Sequence, residues 1–238
     1  MKYIKLFQTI ADKQAAELDY PNTNYVVENS KASIEKEAPE KRLIAVYNVT
    51  STTEPTIIID YQVYASLVSS MEVDGVQQPS VTSDFTFSTT GEHTIKYKLI
   101  DDTKLGAWLF VDCFSLTSVI IPDGVTSIES SVFNSCSGLT SITIPDGVTT
   151  IGQTVFADCR SLTSVTIPDS VTSIGAITFV NCSTLTSITV NATTPPTLGA
   201  DVFNSTNNCP IYVPSASVNA YKAATGWSTY ASRIQAIQ

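Results

Sequence analysis

The sequence predicts a β-rich α+β chain in four parts. These are a short N-terminal segment (residues 1–42), a small β-sandwich (43–100), a solenoid (101–214) and a C-terminal helical cap (215–238). Three observations predict this. Leu116, Leu139, Leu162 and Leu185 recur every 23 residues, in step with Cys113, Cys136, Cys159 and Cys182 and with Phe110, Phe133, Phe156 and Phe179. A fixed period in the twenties marks a solenoid whose turns bury their apolar faces only against each other. Upstream of the repeat the apolar residues alternate at strand period. Downstream of it the pattern becomes helical and aromatic-rich.

Residues 1–42 carry seven basic and seven acidic side chains. Tyr3–Thr9 reads as a strand, Ala11–Leu18 as a short helix, Tyr25–Glu28 as a second strand, and the charged run from Ser30 to Arg42 as a linker. The segment is expected to dock or tether. Between 43 and 100, the runs Leu43–Val49, Thr56–Ile59, Leu67–Val73, Val81–Phe87 and His93–Leu99 are rich in β-forming residues, with turns at Asp74-Gly75 and Thr90-Gly91.

One repeat runs from Leu116 to Gly138. Val119 and Ile121 alternate with outward positions, as in a strand. Pro122 removes a backbone donor and ends it, and Asp123-Gly124 makes a turn. Val125, Ile128, Val132, Phe133 and Cys136 then follow at three-to-four spacing. The third copy is read with Leu162, Val165, Ile167, Val171, Ile174, Ile177, Phe179 and Cys182 inward. About eight buried apolar side chains per turn, each worth roughly 1.5–3 kcal/mol, form one core. The end copies depart from the pattern: the last replaces its strand-ending Pro with Asn191-Ala-Thr-Thr-Pro195-Pro196 and places Phe203 one residue late. After Pro214, the residues Val218, Tyr221, Ala224, Trp227 and Tyr230 predict the helical cap, with Trp227 in its core.

The string Cys-x-x-Leu-Thr-Ser-Ile-Thr-Ile-Pro-Asp-x-Val-Thr-x-Ile-Gly-x-x-x-Phe resembles the BspA-like, or treponemal-type, leucine-rich repeat family over about residues 105–213. The resemblance implies a short curved solenoid with a strand-lined concave face. It also implies a bacterial protein at the cell surface or outside the cell, although no signal peptide is read in this chain, and contacts with a protein or host-surface ligand. Residues 43–100 are distantly similar to the immunoglobulin-like modules of surface proteins.

Composition narrows the function. The net charge of −9 argues against nucleic-acid binding, which wants a basic stripe. No apolar stretch is long enough to span a membrane. Cysteines 23 residues apart do not have zinc-ligand spacing and would stack as buried thiols, leaving Cys209 as the odd one. His93 stands alone and reads as an ordinary surface or edge residue; no acid–base or nucleophile set accompanies it. Asp123, Asp146 and Asp169 form a column after the repeat proline. It reads as turn-capping through the Asp side chains, with a weak calcium ladder as the alternative. No cofactor, metal or catalytic residue is expected.

The surface candidates are the outward strand positions: Ser118 and Ile120, Ser141 and Thr143, Ser164 and Thr166, Ser187 and Thr189. The expected function is a non-enzymatic adhesion or protein-interaction module presenting this strip. The alternative is a structural or decoration subunit of a phage or surface fibre, anchored by residues 1–42. The oligomeric state is left open.

Overall fold

The computed structural model describes residues 42–238. The strands and helix expected within residues 1–41 lie outside the described residues. From Leu43 the chain forms β1 (Leu43–Val49), β2 (Thr56–Ile57), the single helical turn α1 (Tyr64–Leu67), β3 (Val68–Val73), β4 (Val76–Gln77), β5 (Asp84–Phe85) and β6 (Gly91–Leu99). The solenoid follows with β7 (Lys104–Leu105), β8 (Leu116–Ile120), β9 (Ser127–Ile128), β10 (Ser141–Thr143), β11 (Thr150–Ile151), β12 (Ser164–Ile167), β13 (Ser173–Ile174), β14 (Ser187–Val190), β15 (Thr197–Leu198) and β16 (Ile211–Val213). The chain ends in α2 (Val218–Ala223), a 3₁₀ turn at Trp227–Tyr230 and β17 (Ile234–Ala236).

Each turn contributes one strand to each of two stacks. One side holds the five parallel strands β7, β9, β11, β13 and β15. The other side consists of two sheets that meet between β10 and β12, where the Thr163 N–H and hydroxyl both reach Thr140 O at 3.3 Å. Threonine hydroxyls reinforce the stacking throughout: Thr140 Oγ1 donates to Thr117 O, Thr149 to Thr126 O, Thr172 to Thr149 O and Thr186 to Thr163 O, at 3.0–3.2 Å. A repeat-borne threonine thus supplies a second bond to the turn before it, beside the backbone N–H.

The core is a set of columns. Phe110, Phe133, Phe156, Phe179 and Phe203 stack with centroids 5.2–5.7 Å apart and planes within 15° of parallel. Trp227 continues the column 5.7 Å beyond Phe203. The thiols of Cys136, Cys159 and Cys182 donate to Phe110 O, Phe133 O and Phe156 O at 3.0–3.1 Å. All five cysteines are free and buried, four of them in the column that the 23-residue spacing predicts and Cys209 outside it. Gly175 lies where turns nearly touch: an added Cβ would come within 2.5 Å of the backbone of Gly152 and Gln153.

One repeat residue sits differently from its reading. Ile177 faces outward, 37% exposed, with φ 51°, and Thr178 occupies the buried position that Val132, Val155 and Val202 fill elsewhere. The strict 23-residue step from Val155 leads to Thr178. Its hydroxyl is accommodated because it donates to Gly152 O and Gly175 O at 3.0 and 2.7 Å.

The upstream strands differ from an immunoglobulin-like sandwich. β1, β6, β3 and β4 form one antiparallel sheet, and β1 also pairs antiparallel with β8, so this sheet and the first solenoid strands make a single six-stranded sheet in the order β10-β8-β1-β6-β3-β4. A two-stranded ribbon, β2 with β5, stands opposite in place of a second full sheet. The Tyr47 and Tyr97 hydroxyls both donate to Ile58 O and hold the ribbon on. The physical reason is economy of apolar surface: Leu43, Ala45, Tyr47 and Val49 are buried on one face of β1, and the ribbon with the first Phe turn suffices to cover them. The C-terminal cap is likewise mixed. Its helical turns are followed by β17, which pairs parallel with β16 and so completes one more turn. Trp227 is fully buried and donates from Nε1 to Pro196 O at 2.7 Å.

Candidate functional site

The eight outward residues come together on one face. In β8 and β10, Ser118 pairs with Ser141 and Ile120 with Thr143; in β12 and β14, Ser164 pairs with Ser187 and Thr166 with Thr189. Their neighbours Val119, Ile142, Val165 and Ile188 point into the core, because side chains alternate along a strand. Ser141, Thr143, Ser164 and Thr166 are exposed, Ser118, Ser187 and Thr189 are half-buried, and Ile120 is 60% exposed. None of the seven hydroxyls is engaged by another described residue. The strip therefore presents free donors and acceptors on a rigid ladder, without charge.

The face extends past the repeats. Ile44 and Val46 of β1 lie opposite Ile120 and Ser118, and Lys96 and Thr94 of β6 lie beyond them. Lys96 Nζ is 2.7 Å from Glu72 Oε1, and Arg42 reaches Glu72 Oε2 at 3.4 Å. On the far side Tyr212 of β16 pairs with Thr189. Repeat spacing missed these residues because they are not in the repeat; the alternation within Leu43–Val49 is the one signal that places Ile44 and Val46 outward.

Other expectations resolve as follows. Asp123, Asp146 and Asp169 are all exposed. Their turns are closed by the backbone, Val125 N–H to Pro122 O and its equivalents at Val148 and Val171, and not by the Asp side chains. No cluster of His, Cys, Asp and Glu that could hold a metal occurs among the described residues. His93 is buried, not a surface residue. Its Nδ1 lies 2.6 Å from Asp74 Oδ2 and its Nε2 lies 2.9 Å from Thr89 O. The sequence hid this partner because Asp74 is 19 residues away, across the sheet. The pair fastens the Asp74-Gly75 turn to the Thr89–Gly91 turn. Among the described residues no helix is long and apolar enough to cross a membrane.

Comparison with curated proteins finds no match. Among solved structures, the chain is similar to a leucine-rich repeat protein from Bacteroides ovatus, with 23% identity and a TM-score of 0.38. The similarity covers 57% of this chain and 40% of that one, so the chain spans less than half of that protein. The sequence model of the BspA type leucine-rich repeat region matches residues 103–224 in six copies. The match takes in more than half of the 238 residues and the outward strip with them, and the chain belongs to the BspA-type leucine-rich repeat family.

Proposed function

We propose that this chain is a non-enzymatic protein-interaction module of the bacterial surface type, an adhesion module that engages a protein or host-surface ligand through the outward strand face. The observation that carries this reading is the uncharged row of free hydroxyls from Ser118 to Thr189, held in register on consecutive parallel strands. Such a ladder has little conformational freedom to lose on binding. The aliphatic group of Ile44, Val46 and Ile120 beside it, and Tyr212 at the other end, supply apolar contact that the hydroxyls lack. Family membership supports placement at the cell surface or outside the cell.

Replacing Thr143 and Thr166 by Lys tests the reading. Both side chains are exposed, so folding should be intact and the melting temperature unchanged while binding to a host-surface ligand is lost. Retained binding would remove the strip from the interface.

A structural reading is favoured by one observation: the strip itself holds no aromatic or charged residue, the types that usually anchor interfaces. On that reading the solenoid spaces or decorates a fibre. Light scattering on the full chain and on a form beginning at Arg42 separates the two. An oligomer that falls to monomer on truncation supports the fibre role; a monomer in both leaves the strip as the working surface.

A further inference from the structure

A second surface lies at the corner where the β2–β5 ribbon meets the first solenoid turn. A cleft of about 340 Å³ opens there between Ile57 of the ribbon and Val111 of the turn, over the buried Ile59 and rimmed by Asp60, Asp84 and Asp112. A second hollow of about 240 Å³ shares Pro55, Ile57 and Asp112 with it and is walled by Phe114. Together they form one groove.

Three observations say that the groove is more than a seam of the fold. The first is in the repeat. Stepping by 23 from Phe114 leads to Ser137, Arg160 and Ser183, so the first copy alone puts an aromatic at a corner that the others keep polar. The fold does not absorb that aromatic: Phe114 is 56% exposed, and Ile57 and Tyr61 beside the groove are 46% and 69% exposed. Clustered exposed apolar groups of this kind mark contact surfaces. The second is charge. Asp60, Asp84 and Asp112 rim one hollow and Glu54 the other, no Lys or Arg lines either, and none of the four is in an ion pair with another described residue. The third is that two of the carboxylates are held. Asp60 Oδ1 accepts the Gln62 N–H at 2.8 Å and Asp84 Oδ1 accepts the Ser83 hydroxyl at 2.9 Å.

We propose that this groove is a docking site for a segment of a partner protein that carries a Lys or Arg between apolar residues. The aliphatic stem of the basic side chain lies against Ile57 and Val111 while its cationic head meets the rim carboxylates. An apolar neighbour in the same segment covers Phe114. The site is separate from the hydroxyl strip, so one protein carries two contact surfaces of different chemistry.

The test is selection of a phage-displayed library of random heptapeptides on the full chain. The expected result is enrichment of peptides with Lys or Arg flanked by apolar residues. Synthetic copies should bind in fluorescence polarisation, weaken as salt is raised, and lose about tenfold or more in affinity on Asp84→Asn with Asp112→Asn. They should weaken on Phe114→Ser, a residue that the fold accepts at this corner in two other copies, and the melting temperature of each variant checks folding. Thr143→Lys with Thr166→Lys should leave them unchanged, which separates this site from the strip. No enrichment, enrichment of acidic peptides, or binding indifferent to both groove variants would overturn the proposal.

Discussion

The rings of Phe156 and Phe179 lie 5.2 Å apart, centroid to centroid, and 14° from parallel. Each ring is the floor for the next turn and the ceiling of the previous one, so a lost ring is felt by two neighbours. Phe156→Ala should cost about 3–5 kcal/mol, read as a lower urea midpoint, because the cavity cannot collapse in a stacked column. A cost under about 1 kcal/mol would mean the column is not the core of the array.

Backbone contact sets the second prediction. Gly175→Ala should destabilise by about 1–3 kcal/mol or more, since the added methyl would meet backbone atoms that cannot rotate away. Ala at Gly75, where nothing lies within 4 Å but φ is 83°, should suffer only from its dihedral. Thermal melts of the two variants compare these costs directly.

Ile177 is a β-branched residue at φ 51°, a conformation costing about 1–2 kcal/mol for a residue of this kind. Ile177→Asn should raise stability by about 0.5–1 kcal/mol, since Asn tolerates the left-handed region. The next copy already places Asp201 there, at φ 56°. A lower melting temperature would show that the outward Ile177 side chain contributes more than its backbone costs.

Acid should weaken the fold through Asp74. Burial alone would raise its carboxyl pKa, but the hydrogen bonds from His93 and from the Thr94 N–H outweigh this and hold it below the ordinary 3.8. A folded value below the unfolded one stabilises fully above the unfolded value, and the gain is lost as pH falls through the folded value. Asp74→Asn should therefore lower the melting temperature at neutral pH, and its gap to the natural protein should narrow as pH falls below 3.8.

Thiol chemistry gives a further check. Burial pushes the Cys182 thiol up to about 12, and those of Cys113, Cys136 and Cys159 well above 9.0. Burial leaves Cys209 raised as well, with the Arg233 guanidinium offsetting only part of the effect. At mildly alkaline pH an aromatic disulfide reagent should find the four column thiols inert and Cys209 the first to react. All five should react together in denaturant. Fast reaction of Cys136 or Cys159 in the native protein would contradict the packing.

The repeat was legible because the same constraint acts on every turn: whatever Phe133 must do, Phe156 must do one strand spacing away. That redundancy placed the eight outward residues on one face without any structure. It failed where a position has a single instance. Ser-Ile-Gly-Ala-Ile-Thr-Phe offers an isoleucine next to a threonine, and hydrophobicity favoured Ile177 over Thr178, although the register and two carbonyls of neighbouring backbone select the threonine. Alternation gives β1, β3 and β6 to within two residues, but Val81–Phe87 shrinks to Asp84–Phe85 and Val76–Gln77 carries no strand signal; the partners stay hidden, since alternation says which face is buried and nothing about what lies across the hydrogen bonds. The antiparallel join of β1 to β8, the His93–Asp74 pair and the acid-rimmed corner all depend on such non-local pairings.

That join also decides how such an array can evolve. The strand pairs between β7 and β16 are all parallel, whereas the β1–β8 contact runs the opposite way. A duplicated or deleted 23-residue copy can enter only between turns that already match, never at the junction with β1. Array length is thus a counted variable. It changes in whole copies, each moving the two ends by about one strand spacing, roughly 4.8 Å, while the corner groove stays at one fixed end and the hydroxyl row grows or shrinks. Reach and grip can be selected independently in a protein built this way.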